Sequence, residues 1–184
     1  MLQLTHNELR IAISNDSTYS LESVDNHRSY QHEYKLGGAE HISSRHSVLV
    51  VDYCEHEISS CLLLAGGGAS GIHEHSAVIH DNQFLIAVGP YLAALGLPDL
   101  ELKWFTEVDS ATCFGVYHSE KHRCFITHGE LEVARVSYTG QIEWQCGGAD
   151  IFTNGFRLFD DCVEVVDWNN DLYRVDLRTG QSTR

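Results

Sequence analysis

Apolar and polar residues alternate with a period of two along most of the chain, in runs too short to form a helix. Windows of helical length fail the i, i+3, i+4, i+7 test, whereas stretches of four to nine residues pass the strand test again and again. The pattern predicts sixteen short strands between residues 10 and 177. They include residues 10–14, 19–23, 29–36, 47–53, 57–65, 76–80, 83–88 and 91–95, and in the second half 122–128, 156–159, 162–168 and 172–177. Turn-forming pairs separate them, among them Gly37-Gly38, Asp81-Asn82, Pro98-Asp99, Thr139-Gly140, Asn169-Asn170 and Thr179-Gly180. Strands of this length with turns at this spacing fold as meandering antiparallel sheets.

The spacing also repeats. Trp104 and Trp144 share one interval with Gly140 and Gly180, and with Gly89 and Gly129. A glycine or polar turn leads into an alternating strand, then a two-residue turn, then a strand that carries tryptophan in two of the copies. That interval, four strands in about 40 residues, is the period of a propeller blade. One twisted sheet cannot bury both its faces, but sheets stacked side by side bury them against each other. The expected fold is therefore all-β: a propeller-like array of about four four-stranded antiparallel sheets in a single domain. A closed four-bladed ring, an open arc and a partial propeller all satisfy the pattern. The repeat-like units run over about 75–110, 111–150 and 151–184, and residues 1–74 hold degenerate ones.

Two stretches carry a family likeness. Leu172-Tyr173-Arg174-Val175-Asp176-Leu177-Arg178-Thr179-Gly180-Gln181 resembles the outer hairpin of quinoprotein-like and WD-like propeller blades. Tyr138-Thr139-Gly140-Gln141-Ile142-Glu143-Trp144 resembles the matching turn and tryptophan-bearing strand. The likeness is good over residues 130–184. It implies the blade fold, but about four blades are fewer than quinoprotein dehydrogenases arrange around their cofactor, so quinone binding is not carried over.

Charge changes the picture next. Twelve basic against 26 acidic residues give a net charge of −14, spread as −6 over positions 1–80 and −8 over positions 81–184. A uniformly negative surface repels nucleic-acid phosphate and anionic lipid, so neither nucleic acid nor membrane is expected as a partner. It favours a basic protein partner, or serves solubility alone. The six cysteines are scattered and none forms a Cys-x-x-Cys pair, which fits reduced thiols acting as small core residues. With no basic, apolar leader at the N-terminus, the expected location is cytoplasmic.

Candidate chemistry is sparse. Gly66-Gly67-Gly68-Ala69-Ser70-Gly71 satisfies the dinucleotide spacing, but only nine residues separate it from the Asp81-Asn82 turn, too few for a crossover helix. A flexible loop joining two sheets is the better reading. His73 and His75, with His80 nearby, offer imidazoles at i and i+2, which share one face of a strand and can grip a zinc-like transition metal. The competing reading is that these are blade-edge histidines bonded to backbone carbonyls. Cys54 and His56 form the closest local thiol–imidazole pair and, on a strand, would point the same way. Asp160-Asp161 reads as turn chemistry. No catalytic serine elbow or carboxylate pair is signalled, and no cofactor is expected beyond such a metal. Trp104 and Trp144 recur at the repeat period and are expected between blades, whereas Trp168 breaks register and is the candidate exposed, partner-binding tryptophan.

The expectation is a non-enzymatic protein-binding module that takes a basic partner, as an immunity-protein-like inhibitor does. Two alternatives stay open: a metal-binding protein or metal-dependent enzyme using the His-x-His pair, and a structural segment that self-assembles into homo-oligomers through open blade edges.

Overall fold

Side chains that alternate along a strand can bury one face, and side chains that are apolar throughout can bury two; the chain uses both. The computed structural model describes residues 1–184 and holds seventeen strands in four sheets. The first sheet contains β1 (Leu2–His6), β2 (Leu9–Asn15), β4 (Ser44–Val51) and β5 (Glu57–Ala65) as an antiparallel meander. A further strand, β3 (His32–Leu36), lies parallel to β5 on its free edge. The second sheet runs β6 (Ala77–His80), β7 (Gln83–Val88), β8 (Tyr91–Gly96) and β9 (Leu102–Glu107). The third runs β10 (Cys113–Ser119), β11 (Cys124–Gly129), β12 (Glu132–Val136) and β13 (Ile142–Gly147). The fourth runs β14 (Gly155–Leu158), β15 (Cys162–Val166), β16 (Leu172–Asp176) and the short β17 (Ser182–Thr183). There is no helix, so none is long and apolar enough to cross a membrane.

Three apolar seams hold the sheets face to face. Ile11, Ile13, Val48, Val50 and Leu63 of sheet 1 meet Phe84, Ile86 and Val88 of sheet 2. Leu85, Ala87, Leu92 and Ala94, on the opposite face of sheet 2, meet Val116, Phe125 and Val136 of sheet 3. Ile126 and Val133 of sheet 3 then meet Val163, Val165 and Val175 of sheet 4. β7 is apolar at successive positions because it faces a neighbour on both sides; each such side chain contributes roughly 1.5–3 kcal/mol when fully buried. No hydrophobic cluster, hydrogen bond or ion pair joins sheet 4 back to sheet 1. The array is an open arc.

The tryptophans act at the outer edge as the repeat implies. Gly140 (φ 84°) and Gly180 (φ 71°) sit at tight turns in the left-handed region. A Cβ there would fall 2.6 Å from the Trp104 ring and 2.7 Å from the Trp144 ring, respectively. Each ring thus lies on the turn of the following blade, and glycine alone satisfies both the φ and the contact. Trp144 also donates its Nε1–H to the Leu177 carbonyl at 3.1 Å.

Three features depart from the pattern. Residues 19–23 form no strand: the Asn26 side chain accepts from Ser20 N at 2.9 Å and donates to the Ser20 and Ser23 carbonyls, giving the backbone a closed loop instead of a ladder. β1 and β17 extend the first and last sheets beyond the expected strands. The parallel β3 makes sheet 1 mixed, because residues 16–43 leave the meander between β2 and β4 and return along its far edge.

Candidate functional site

The first strands of the blades carry most of the unspent chemistry. Sheet 2 approaches sheet 3 at this inner edge, where His75 O accepts from Val116 N at 2.8 Å. On it stands a file of rings drawn from three sheets. His73 and His75 precede β6, Phe114 and Tyr117 lie on β10, His128 is the penultimate residue of β11, and Phe156 lies on β14. Neighbouring centroids are 6.3 Å apart for His73–His75 and 4.6 Å for His75–Tyr117. The file continues at 4.5 Å for Tyr117–Phe156, 4.6 Å for Phe156–His128 and 5.3 Å for His128–Phe114. His73 is exposed and the other five are half-buried. Offset and edge-on ring pairs at these spacings are mutually attractive.

Hydrogen bonds fix the state of several rings. His73 accepts the His75 backbone N–H at Nδ1, 3.2 Å, and so donates from Nε2 to the Phe114 carbonyl at 2.7 Å. Both its nitrogens are engaged. His128 bonds the Phe152 carbonyl at 3.0 Å, and burial pushes its pKa down to about 4, so it stays neutral. Burial, with the Glu74 carboxylate, raises Tyr117 to about 12. The file therefore presents an aromatic strip with polar tips.

Of the expected metal ligands, His73 has no lone pair to spare in this arrangement, and His75 leans on Tyr117 and stands 3.4 Å from Glu74. His80 lies elsewhere, at the end of β6, with its ring centroid 4.3 Å from both His118 and Tyr138. His118 donates to or accepts from the Tyr138 hydroxyl at 2.9 Å, and burial, with His80 beside it, lowers its pKa. His73, His75 and His80 do not converge on one point.

The glycine-rich stretch links sheet 1 to sheet 2 with no helix behind it, so it offers no helix N-terminus to a pyrophosphate. Gly68 donates its N–H to the Ala111 carbonyl at 2.9 Å, and Thr112 Oγ1 occupies the place a Cβ would take. Ser70 is buried there: Asn15 Oδ1 lies 2.7 Å from His46 Nδ1, His46 Nε2 lies 2.9 Å from Ser70 Oγ, and Ser70 Oγ accepts from Gly89 N at 2.8 Å. The line resembles a nucleophile with its base, yet His46 is fully buried and Ser70 nearly so. No substrate atom reaches it, and it serves to pin the linker between sheets.

Cys54 and His56 fall in a turn and not on a strand. Asp52 Oδ1 accepts both backbone N–H groups, and Glu55 takes a positive φ of 64°. Asp161 lies between β14 and β15, and its carboxylate, which takes no backbone N–H, ties blades 3 and 4 through Lys121 at 2.6 Å and His122 at 3.1 Å, which lower its pKa. Other carboxylates do cap backbone turns. Asp109, buried, accepts the backbone N–H of Ala111, Thr112, Leu131 and Glu132, and Asp167 accepts those of Asn169 and Asp171. Part of the acidic composition is thus backbone satisfaction at turns.

Trp168 is 63% exposed at the β15–β16 turn, its backbone N–H bonded to the Ile151 carbonyl at 2.8 Å. Phe114, Tyr117 and Phe156 are the members of the ring file that no motif flagged. The repeat could have found two of them, since Tyr117 and Phe156 stand close to one blade period apart on equivalent first strands.

No family model matches the chain, and no curated protein matches it. Solved structures do. BamB from Moraxella catarrhalis aligns with a TM-score of 0.55 at 12% identity, over 76% of this chain and 47% of that one. The Pan2 WD40 domain from Neurospora crassa aligns with a TM-score of 0.50 at 11% identity, over 60% of this chain and 36% of that one. The chain spans less than half the length of either. At such identities the likeness is one of fold, and the fold is that of propeller blades.

Proposed function

We propose that this protein is a non-enzymatic binding module that takes a basic protein partner along the inner edge of the arc. The observation that carries this reading is the file of rings from His73 to Phe114: aromatic surface that bridges sheets 2, 3 and 4 along one edge and stays partly open to solvent. Aromatic side chains with polar tips dominate protein interfaces because they bury much area while losing few rotamers. Lysine and arginine side chains of a partner would stack on Tyr117 and Phe156 and meet Glu74 beside them. The net charge of −14 would draw such a partner in. Trp168, on a turn beyond the end of β15, would extend the contact.

The test is a panel of cationic proteins, of the kind an immunity-type inhibitor neutralises, titrated at low and at physiological ionic strength. At least one should bind with an affinity that falls as salt rises, and Tyr117→Ala with Phe156→Ala should weaken it by about tenfold or more. Binding that ignores both salt and the ring substitutions would end the proposal.

A further inference from the structure

The tip of the β4–β5 hairpin carries three side chains that neither the seams nor the ring file uses. Asp52, Cys54 and His56 bring a carboxylate oxygen, a thiol sulfur and an imidazole nitrogen to within 4.8 Å of one another. Asp52 sets the turn: its Oδ1 accepts from Cys54 N at 2.8 Å and from His56 N at 2.9 Å. Oδ2 is left over, and it lies 3.1 Å from His56 Nδ1. Two adjacent ligands on a tetrahedral zinc, each bonded at roughly 2.0–2.1 Å, stand about 3.3 Å apart. The oxygen and nitrogen are therefore already at ligand spacing, and the sulfur lies within 4.8 Å of both.

The surroundings leave the group free to act. Glu55, the intervening carboxylate, is drawn off by an ion pair with Arg10. Cys54 is the exposed member of six free cysteines, so its rotation disturbs no seam.

We propose that Asp52, Cys54 and His56 form a zinc-class metal site in which carboxylate, thiolate and imidazole hold one ion and a fourth position stays open. Thiolate with imidazole selects zinc or cobalt over magnesium or calcium. As the ion binds, the Cys54 thiol releases its proton to solvent, the imidazole carries its proton on Nε2 instead of Nδ1, and the freed Nδ1 lone pair joins the metal. Affinity should accordingly fall as pH falls.

Cobalt(II) alone is the probe, added to the reduced, chelator-stripped full chain. Binding of one equivalent should bring a thiolate-to-cobalt charge-transfer band with tetrahedral d–d bands, all displaced by zinc. Cys54→Ser should abolish the charge-transfer band and His56→Ala should weaken binding by at least about tenfold, since even loss of an outer-shell partner costs that much. The His73→Ala/His75→Ala protein should titrate as the wild type does. The exposed turn tolerates these changes, which a thermal melt of each variant verifies. Absence of the charge-transfer band, its survival in Cys54→Ser, or its loss in the His73/His75 variant would each overturn the site.

Discussion

The two ends of the arc solve one problem in opposite ways. Each end sheet has a face with no neighbouring blade. On sheet 1 that face carries Leu62 and Leu64, and the excursion between β2 and β4 folds back over it. Tyr19, Tyr30 and Ile42 pack on the two leucines, and the tyrosine rings meet edge to face at 5.5 Å. Their hydroxyls reach out of the apolar layer, Tyr19 donating to Glu33 at 2.6 Å and Tyr30 to Asp16 at 2.7 Å. On sheet 4 the outward positions are Arg157, Glu164, Arg174 and Asp176 with Val166 and Leu172, and nothing covers them. Repeat arrays need polar outer faces at their ends to remain soluble. One end meets that need with composition and the other with a lid, so an apolar end face is acceptable only where the chain itself supplies the cover.

The sharpest way to break this comparison is to place a charge under the lid. Leu62 is 0% exposed, and Leu62→Lys would bury an ammonium beneath Tyr19, with only the Glu33 carboxylate across the β3–β5 ladder in reach. The loss in denaturant unfolding should exceed about 3 kcal/mol, combining lost burial with a buried charge whose pairing does not repay its desolvation. A loss under about 1 kcal/mol, the size of an ordinary substitution, would mean that the lid opens freely and that the face was never sealed.

The sequence disclosed these two ends unequally. β16 reads Leu172, Tyr173, Arg174, Val175, Asp176, and its strict alternation matches a strand buried on one face. β7 reads Phe84, Leu85, Ile86, Ala87, Val88, and its continuous apolar run matches a strand between two neighbours. β5 has the same continuous character, but its second neighbour is the lid, and a run of leucines does not say whether a sheet or a loop will cover it. The lid itself has no period, because side chains such as Asn26 close it through contacts that no pattern encodes. The parallel pairing of β3 is invisible for the same reason. In the ring file, His73 and His75 stood out as a motif, whereas the stacking of Tyr117 on Phe156 depends on how far the sheets splay. At the hairpin tip, a strand assumed through residue 53 concealed the turn that gathers Asp52, Cys54 and His56.

Acid should separate the ends next. Burial holds His46, on β4, down at about 4 against an ordinary 6.5, and the ring is locked between Asn15 and Ser70. Between those two values the unfolded chain binds the proton that the fold refuses. Stability from this group is complete above about pH 6.5 and is lost as pH falls toward about 4, roughly 2 kcal/mol between about pH 7 and pH 5. His128, with its own pKa lowered to about 4, adds a loss of the same sign from sheet 3. Residues 149–184 contain no histidine, so sheet 4 meets this liability only at its edge, where His128 bonds the Phe152 carbonyl. Hydrogen exchange at about pH 5 should find β4 and β5 opening before β15 and β16, and His46→Gln should shrink that difference. Equal loss of protection at both ends would show that His46 does not govern the first sheet.

The smallest effect completes the comparison. Leu172 stands on the uncovered face of sheet 4, 49% exposed and paired with Val166 across the ladder. Leu172→Lys makes the same chemical change as Leu62→Lys, yet here the ammonium enters water and its stem can lie along Val166. The expected change in unfolding free energy is within about 0.5 kcal/mol. A near-zero value here beside a large one at Leu62 would locate the difference in the cover and not in leucine itself. A loss above about 2 kcal/mol, the range of a buried leucine, would mean that the face is not solvated in solution, as in a self-associated protein. The same variant would then lower the oligomer's mass in sedimentation, and a protein monomeric before and after the change would exclude that explanation.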